Sequence, residues 1–457
     1  MLVSFARRYA VYIGAATLSV GLNIFSWQLP FFWDTILTST VSQYWLSHGI
    51  GNLILPPRLD AGHPPLFYLY EFLWLKVFGQ SLIIAHLSML PFIFMGAFSF
   101  VRLLQQFEFS KGVQWAGLLL FFAIPAVSTQ NVLVSYDAAL LSLYLLALVC
   151  FMEERKFLFA LVIIFIAGIT GRGLFAIFSI FVSCHFLHRP RWRSWINLFV
   201  PAILFYAAWY TYHYWQAGYI FSADNGWSGQ RGLADMHQLL KNGIAVGRAL
   251  FDAGIILLFL LNIFVYFRLK KLPVHYWLAA PPFLVFAFSF LFLTNPINHR
   301  YFLVVYVLML LPVLKFFEEK KIFYTVLTAI LLFAGNFQVY PGKISNAWDC
   351  MLGHLSYQDL RHNFLDFFQE HEIDRTEIGT VFPMNTSLQQ TDMTADTTRM
   401  VNMNGWDIHA FRLILYTNIG NDFSDEQIDA LQEWLIVKEE EKGVVKMILY
   451  QNPAYSL

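Results

Sequence analysis

Trp33-Asp34, and then Arg58-Leu59-Asp60-Ala61-Gly62-His63-Pro64-Pro65-Leu66-Phe67-Tyr68, belong to the loop that follows the first apolar segment of the chain. This loop concentrates ionisable side chains in a chain of 457 residues of which only 13% are charged. Elsewhere 58% of the residues are hydrophobic, and apolar runs long enough to cross a bilayer recur. The sequence therefore predicts a polytopic membrane protein with a polar loop at one membrane surface.

Charge and cysteine content exclude several classes of protein. The formal net charge of +0 argues against a nucleic-acid partner, which requires a basic surface. Cys150, Cys184 and Cys350 are far apart in the chain, so they indicate neither a disulfide framework nor a cysteine metal site. The sequence contains no nucleotide-binding loop and no metal-ligand spacing. We therefore expect no cofactor and no metal.

The apolar runs predict an all-α membrane domain over residues 1–340 with about eleven transmembrane helices. The first run could pass for a signal peptide, but its length and the lack of a small-residue cleavage site favour an uncleaved anchor. The predicted spans are 9–27, 82–101, 113–130, 133–152, 157–171, 173–187, 195–215, 246–267, 276–294, 301–314 and 322–339.

The distribution of Lys and Arg predicts the orientation of these spans. If residues 28–80 form an outer loop with juxtamembrane helices, the cytoplasmic loops carry roughly three times as many basic residues as the outer loops. Counting Pro64 to Phe78 as a span would invert this bias. Basic flanks on both sides of 157–187 predict a hairpin that turns at Thr170-Gly171-Arg172-Gly173. The N-terminus is then cytoplasmic, and Arg172 lies near the outer face.

A polar, mixed composition after Tyr340 predicts a small soluble α/β domain over residues 341–457, on the outer side of the membrane. Apolar stretches at Ile378–Phe382, Phe411–Tyr416 and Val444–Tyr450 predict strands. Two helices are also predicted. One covers Asp359 to Glu370, and the other begins at the capping box of Ser424 and runs toward Trp434.

With this topology, several ionisable residues from separate loops meet at the outer face. Asp34 is a candidate general base in an aromatic setting, and an N-cap for the following helix is an equal alternative. Asp137 is a second candidate catalytic carboxylate, and a simple helix-start carboxylate is its alternative. Ionisable side chains at the ends of apolar spans typically indicate a functional site, because they are costly to bury. The full set on this face is Asp34, Arg58, Asp60, His63, Glu71, Asp137, Arg172, His299 and Arg300.

Five of these residues are candidate ligands for an anionic lipid headgroup. Arginine suits a phosphate because its planar fork donates two hydrogen bonds at once. For each residue taken alone, a side chain that only reaches solvent is an equally good interpretation. As a set on one face they indicate a phosphate site. They are Arg58, His63, Arg172, His299 and Arg300.

At these positions the chain resembles the GT-C class of membrane glycosyltransferases, in the branch of protein O-mannosyltransferases and lipid A aminoarabinose transferases. Asp34 resembles the acidic residue of the first outer loop in that branch, and His63 to Tyr68 its His-Pro-Pro-Leu-like helix. Asp137 resembles its second Asp, and Arg300-Tyr301 its late Arg-Tyr pair. Thr170 to Gly173 is similar to its Thr-Lys-Gly turn. Where many relatives have an Asp-Glu pair, this chain has Asp34-Thr35.

The resemblance implies an inverting hexosyl or pentosyl transferase with a polyprenyl-phosphate-linked sugar as its donor. The acceptor would be a hydroxyl of a glycan, lipid or protein, deprotonated by Asp34. Arg58, His63, Arg172, His299, Arg300 and Tyr301 would bind the substrate and its lipid phosphate.

Two other functions were compatible with the sequence: a transporter or flippase of a lipid-linked intermediate, and a scaffold for the soluble domain. A transporter typically carries midplane charges and inverted repeats, which are few or missing in this sequence. We expect the protein in the lipid bilayer of a bacterial inner membrane, with the endoplasmic reticulum as the alternative. The domain at 341–457 would then be periplasmic.

Overall fold

The chain folds into a helical N-terminal part followed by a small mixed sheet. The structure is a computed structural model that describes residues 2–187, 192–221, 232–269, 272–294, 297–318, 322–420 and 422–455. Its helices in the N-terminal part are α1 (Leu2–Ser26), α2 (Thr35–His48), α3 (Leu66–Phe78), α4 (Leu82–Gln106), α5 (Lys111–Ala123), α6 (Pro125–Val132), α7 (Tyr136–Met152), α8 (Lys156–Ile169), α9 (Gly173–Phe186), α10 (Val200–Ala217), α11 (Met236–Ala249), α12 (Ile255–Arg268), α13 (Ala280–Leu291), α14 (Leu303–Leu308), α15 (Leu310–Phe317) and α16 (Ile322–Ala334).

The length and composition of the helices in the described part of the chain do not confirm the predicted eleven transmembrane helices. Three helical segments of the described chain are long and apolar enough to cross a membrane: Tyr9–Ser26, Leu82–Gln106 and His299–Phe317. The bent pair α5 and α6 adds a fourth if it counts as one span. Several other helices lie where spans are predicted and are apolar. They have only 10 to 17 residues, and the longest of these is about 26 Å.

Large apolar side chains on these helices face outward, as expected for lipid contact. Phe157 on α8, Leu204 on α10 and Trp215 on α10 are 79%, 63% and 81% exposed. So many exposed apolar side chains indicate a surface that is covered by an apolar environment such as lipid. The helical part is therefore built as a membrane domain, with its polar groups gathered inside.

Two predicted spans are broken in the structure. The predicted helix over 113–130 bends by 69° between α5 and α6, because Pro125 takes the first position of a new helix and cannot continue the old one. The predicted helix over 246–267 is interrupted at residues 250–254 between α11 and α12. The conformation of Gly254, with φ +73°, allows the chain to turn there.

The hairpin predicted over 157–187 is present. Helix α8 ends at Ile169, α9 begins at Gly173, and the two helices pack against each other. A Cβ on Gly173 would lie 2.2 Å from the carbonyl oxygen of Ile166, so only glycine permits this approach. The turn places Arg172 at the end of the hairpin.

The C-terminal part is a five-stranded sheet in the order β2-β1-β3-β5-β4. Strands β1 to β3 are parallel, and β5 is antiparallel to both β3 and β4. Helix α17 packs against β4 and β5. The elements are α17 (Ser356–Glu370), β1 (Ile378–Thr380), α18 (Leu388–Asp392), β2 (Val401–Asn402), β3 (Leu413–Thr417), α19 (Asp425–Leu431), β4 (Leu435–Lys442) and β5 (Val445–Gln451).

The sequence predicts three of these strands and two of the helices, α17 and α19. Strands β1, β3 and β5 lie within or overlap the predicted stretches, and the capping box of Ser424 and Gln427 opens α19. Helix α19 ends at Leu431, earlier than predicted, and β4 follows at once. Strand β4 was missed because its side chains are mostly exposed and charged, without an apolar alternation.

The sheet domain rests on the loop that carries Asp34. The ring of Phe32 stacks on His354 with centroids 4.3 Å apart, and Trp33 meets Phe382 edge-on at 5.4 Å. The backbone N–H of Phe31 donates to the Thr391 carbonyl at 2.8 Å. The C-terminal domain thus forms one wall around the first polar loop.

Candidate active site

Arg300 is the centre of a buried cluster of charges. Its side chain is 5% exposed, and its guanidinium pairs with the carboxylates of Asp34 and Asp349. Its Nε lies 3.0 Å from Oδ2 of Asp137. Each of the three nitrogens of the planar fork therefore faces a different carboxylate, whereas a lysine would present a single nitrogen.

Arg172 supplies the second buried cation. Its Nη2 lies 2.6 Å from Oδ1 of Asp137, and its guanidinium lies 3.9 Å from the ring centroid of Tyr301. Tyr136 is a second aromatic neighbour, at 5.4 Å. The hairpin turn between α8 and α9 and the segment at Arg300-Tyr301 thus converge, and Asp137 lies between their arginines.

Asp34 does not cap a helix through its side chain. The hydroxyl of Thr35, the first residue of α2, bonds instead to the backbone that precedes the helix: it accepts from the N–H of Phe32 at 3.0 Å and donates to its carbonyl at 2.7 Å. The N-cap interpretation of the Asp34 side chain is therefore wrong. The preceding Trp33 has φ +56°, an unusual conformation for a residue with a side chain. This turn directs the Asp34 carboxylate toward Arg300.

The three carboxylates differ in their access to solvent. The side chain of Asp34 is 37% exposed, whereas those of Asp137 and Asp349 are 3% and 2% exposed. Asp137 lies in the first turn of α7, where Ser135 caps the helix by accepting from the Asp137 N–H at 3.0 Å. Of the three, Asp34 is the carboxylate that an acceptor molecule can reach.

Asp349 is a member of the cluster that sequence reasoning missed. It lies in a short 3-10 helix, Trp348–Cys350, at the start of the C-terminal domain. Burial raises the pKa of its carboxyl, although the charge of Arg300 acts in the opposite direction. No motif surrounds Asp349 in the sequence, so only the fold reveals its role.

His63 contacts the turn that carries Arg172, whereas Arg58 lies on the protein surface. Nδ1 of His63 accepts from the backbone N–H of Gly171 at 3.3 Å, so His63 supports the turn that carries Arg172. Gly62 has φ +70°, and a Cβ there would lie 1.7 Å from the Phe221 carbonyl oxygen. Arg58 lies exposed on the short helix Pro57–Leu59 and forms no ion pair with any described residue.

Asp60 and Glu71, also predicted on this face, are engaged in anchoring contacts. Asp60 Oδ2 lies 2.8 Å from Nε2 of His213 and accepts from the Tyr219 hydroxyl at 2.9 Å, which fastens the first loop to the end of α10. Glu71 is fully buried and accepts from the Ser88 hydroxyl at 2.6 Å. Both carboxylates hold the first polar loop and the helix that follows it in place beside the charge cluster.

His299 faces a second cluster, not the one around Arg300. Its Nε2 lies 2.9 Å from Oδ2 of Asp252, a carboxylate that also pairs with Arg248 and accepts from the Tyr340 hydroxyl at 2.7 Å. The structure thus places His299 where it fixes the segment that precedes Arg300.

A pocket adjoins the two arginines. No group of His, Cys, Asp or Glu able to hold a metal ion is found within the described ranges. The lining combines a charged end with an apolar remainder. The lining residues are Asp137, Leu140, Leu141, Arg172, Phe286, Phe290, Arg300, Tyr301, Leu303 and Val304.

Comparison with known proteins identifies the fold. No protein-family model matches the chain, and no curated protein sequence matches it. The structure is similar to that of ArnT from Cupriavidus metallidurans bound to undecaprenyl phosphate, with a TM-score of 0.55 and 9% identity over 98% of this chain and 99% of that chain. For ArnT in the apo state, the TM-score is 0.50 and the identity 10%, over 97% and 98%. The chain therefore has the fold of ArnT, a GT-C glycosyltransferase, as the motifs in its sequence predict.

Proposed function

We propose that the protein is an integral-membrane glycosyltransferase that moves a sugar from a polyprenyl-phosphate donor to a hydroxyl acceptor. The observation that carries this proposal is one reachable carboxylate, Asp34, in a cluster that holds two buried arginines and borders a pocket with a largely apolar lining. The likeness in fold to ArnT, which was solved with undecaprenyl phosphate, supports the donor class.

Asp34 acts as the general base in this scheme. It takes the proton of the acceptor hydroxyl while that oxygen attacks the anomeric carbon of the donor sugar. A new carbon–oxygen bond forms as the bond from the anomeric carbon to the phosphate oxygen breaks. A single displacement of this kind inverts the anomeric configuration. The exposure of Asp34 supports the assignment, since Asp137 and Asp349 are closed off from an acceptor.

Arg172 and Arg300 stabilise the departing phosphate. The leaving polyprenyl phosphate gains negative charge, and guanidinium groups already held in place can neutralise it without reorganisation. Asp137 serves both arginines as a positioning carboxylate, because it contacts one with each of its oxygens. Phe286, Phe290 and other apolar lining residues would receive the first units of the prenyl chain.

The reaction is assigned to the outer face of a bacterial inner membrane, with the N-terminus in the cytoplasm and the sheet domain in the periplasm. The distribution of basic residues in the sequence supports this orientation. The donor would then arrive laterally from the outer leaflet, and the acceptor from the aqueous side, where Asp34 is exposed. The proposal covers hexosyl and pentosyl donors and acceptors that are glycans, lipids or proteins.

The substitution Asp34→Asn tests the proposal. We expect polyprenyl phosphate release from the cognate lipid-linked sugar to fall by about 10²-fold or more, which is the contribution of a general base. The fold should persist, since the carboxylate caps no helix and asparagine is similar in size. The measurement is release of polyprenyl phosphate by the purified protein, with a panel of donors and an acceptor mixture. Asp366→Asn, at an exposed aspartate of α17, is the matched control and should keep full activity.

Turnover of Asp34→Asn close to that of the wild type would rule out the general-base assignment. If the wild-type protein binds the lipid-linked sugars but consumes none, the transferase assignment fails. Transport of a lipid-linked intermediate would then become the better interpretation of the same cluster.

A further inference from the structure

Asp349 reaches the charge cluster from the C-terminal domain and is fixed on several sides. The indole N–H of the neighbouring Trp348 donates to the Asn418 carbonyl at 3.1 Å, which ties this turn to the end of β3. The side-chain amide of Gln130 on α6 donates to the Asp349 carbonyl at 2.6 Å. The amide of Asn298 donates to Oδ2 of Asp349 at 3.0 Å. The carboxylate that faces Arg300 therefore has little freedom to move.

The charges of the cluster do not balance. Arg172 and Arg300 bring two positive charges, and Asp34, Asp137 and Asp349 bring three negative charges when all are ionised. Arg300 is shared among the three carboxylates, so each competes with any incoming phosphate for its hydrogen bonds. Asp34 is the member that can be displaced, because it is the one exposed to solvent.

We propose that Asp349 is a positioning residue of the transfer site, which holds one side of the Arg300 guanidinium and shares its charge. With Asp349 in place, Arg300 can exchange Asp34 for the donor phosphate without leaving its position. The exchange frees the Asp34 carboxylate to accept the proton of the acceptor hydroxyl. The C-terminal domain thereby contributes a side chain to the site. This inference rests on the proposed transferase function.

The test compares wild type, Asp349→Asn and Asp392→Asn in the full-length protein. Asparagine at 349 keeps an acceptor oxygen for Arg300 but removes the negative charge. We expect kcat to fall at least tenfold, since Arg300 then holds the polyprenyl phosphate product more tightly and slows its release. We expect the donor KM to fall at least threefold, because one competing carboxylate is gone. A residue with a merely structural role would not lower KM.

Asp392→Asn is the matched control, since this residue belongs to the same domain and pairs with Arg361 at 2.6 Å, without contact to Arg300. It should change kcat and KM less than twofold. The second measurement is equilibrium binding of polyprenyl phosphate, which does not depend on turnover. Asp349→Asn should bind this lipid at least threefold more tightly than wild type, and Asp392→Asn should bind it as wild type does.

Unchanged or weaker binding of polyprenyl phosphate by Asp349→Asn would overturn the role of Asp349. The same conclusion would follow if its kinetic constants matched those of Asp392→Asn. If the wild type consumes no donor, the transferase function fails separately, and the binding measurement still decides whether Asp349 competes for Arg300.

Discussion

Arg300 is the residue on which the charge cluster depends. Its buried guanidinium faces three carboxylates, two of which are almost completely shielded from solvent. A buried charge without a partner destabilises the folded state. Removal of Arg300 would leave its carboxylate partners buried and unpaired. Arg300 therefore contributes to folding as well as to the proposed chemistry.

The substitution Arg300→Gln should destabilise the protein by about 3–5 kcal/mol, the effect of removing one partner of a buried ion pair. Adding Asp137→Asn should restore part of this loss, because it removes one of the stranded carboxylates. The measurement is reversible unfolding in detergent, followed by circular dichroism.

Arg375→Gln serves as the comparison, since its pair with Asp396 is partly exposed and should be worth about 1 kcal/mol or less. Equal losses for Arg300→Gln and Arg375→Gln would contradict the central role of Arg300.

At the residue scale, the sequence predicts much of the site because its motifs carry the relevant side chains. Asp34, Asp137, Arg172 and Arg300 come from four separate segments, and the structure brings them together. His299 adjoins Arg300 in the chain but pairs with Asp252, because neighbouring side chains in a 3-10 turn point in different directions. Asp349 had no pattern around it and could not be predicted.

At the scale of elements, the hairpin of α8 and α9 sets the position of Arg172. The turn is held by His63, by the Tyr206 hydroxyl, which donates to the Gly171 carbonyl at 2.8 Å, and by the close contact of Gly173 with Ile166. A shift of this turn would move a guanidinium relative to the pocket.

Gly173→Ala should lower activity strongly, by about 10²-fold, since a methyl group 2.2 Å from the Ile166 carbonyl forces the hairpin apart and displaces Arg172. Gly112→Ala is the matched control in α5, where an added Cβ meets no described heavy atom within 4 Å. Alanine there should stabilise the helix by up to about 1 kcal/mol. Donor turnover and thermal stability measure both effects. Full activity of Gly173→Ala would show that the turn tolerates displacement.

Element boundaries show what a hydropathy pattern can and cannot predict. The hairpin was predicted because basic residues flank both ends and glycines mark the turn. The break before Pro125 was missed because the apolar run continues through it, although the proline itself was a sufficient signal. An apolar run predicts that a segment lies in an apolar environment. It does not predict whether the segment forms one straight helix.

At the scale of the whole molecule, the proposed orientation fixes which side the substrates approach. The three native cysteines are buried, so an introduced cysteine on the surface can be labelled without a background from them. We expect Glu370→Cys, at the exposed end of α17, to react with an impermeant maleimide in intact spheroplasts. Lys156→Cys, at the first residue of α8 on the predicted cytoplasmic side, should react only after the membrane is opened. The reverse pattern would overturn the proposed orientation.

The short helix α6 has a consequence for the order of events during synthesis. All of its residues are buried, including Ser128, Thr129, Gln130 and Asn131, and Gln130 donates to the backbone of Asp349, more than two hundred residues later in the chain. While the ribosome is still making the middle of the protein, this polar turn lacks its final partner. The hydrogen bond between Gln130 and Asp349 can therefore form only after the chain has been made through residue 349.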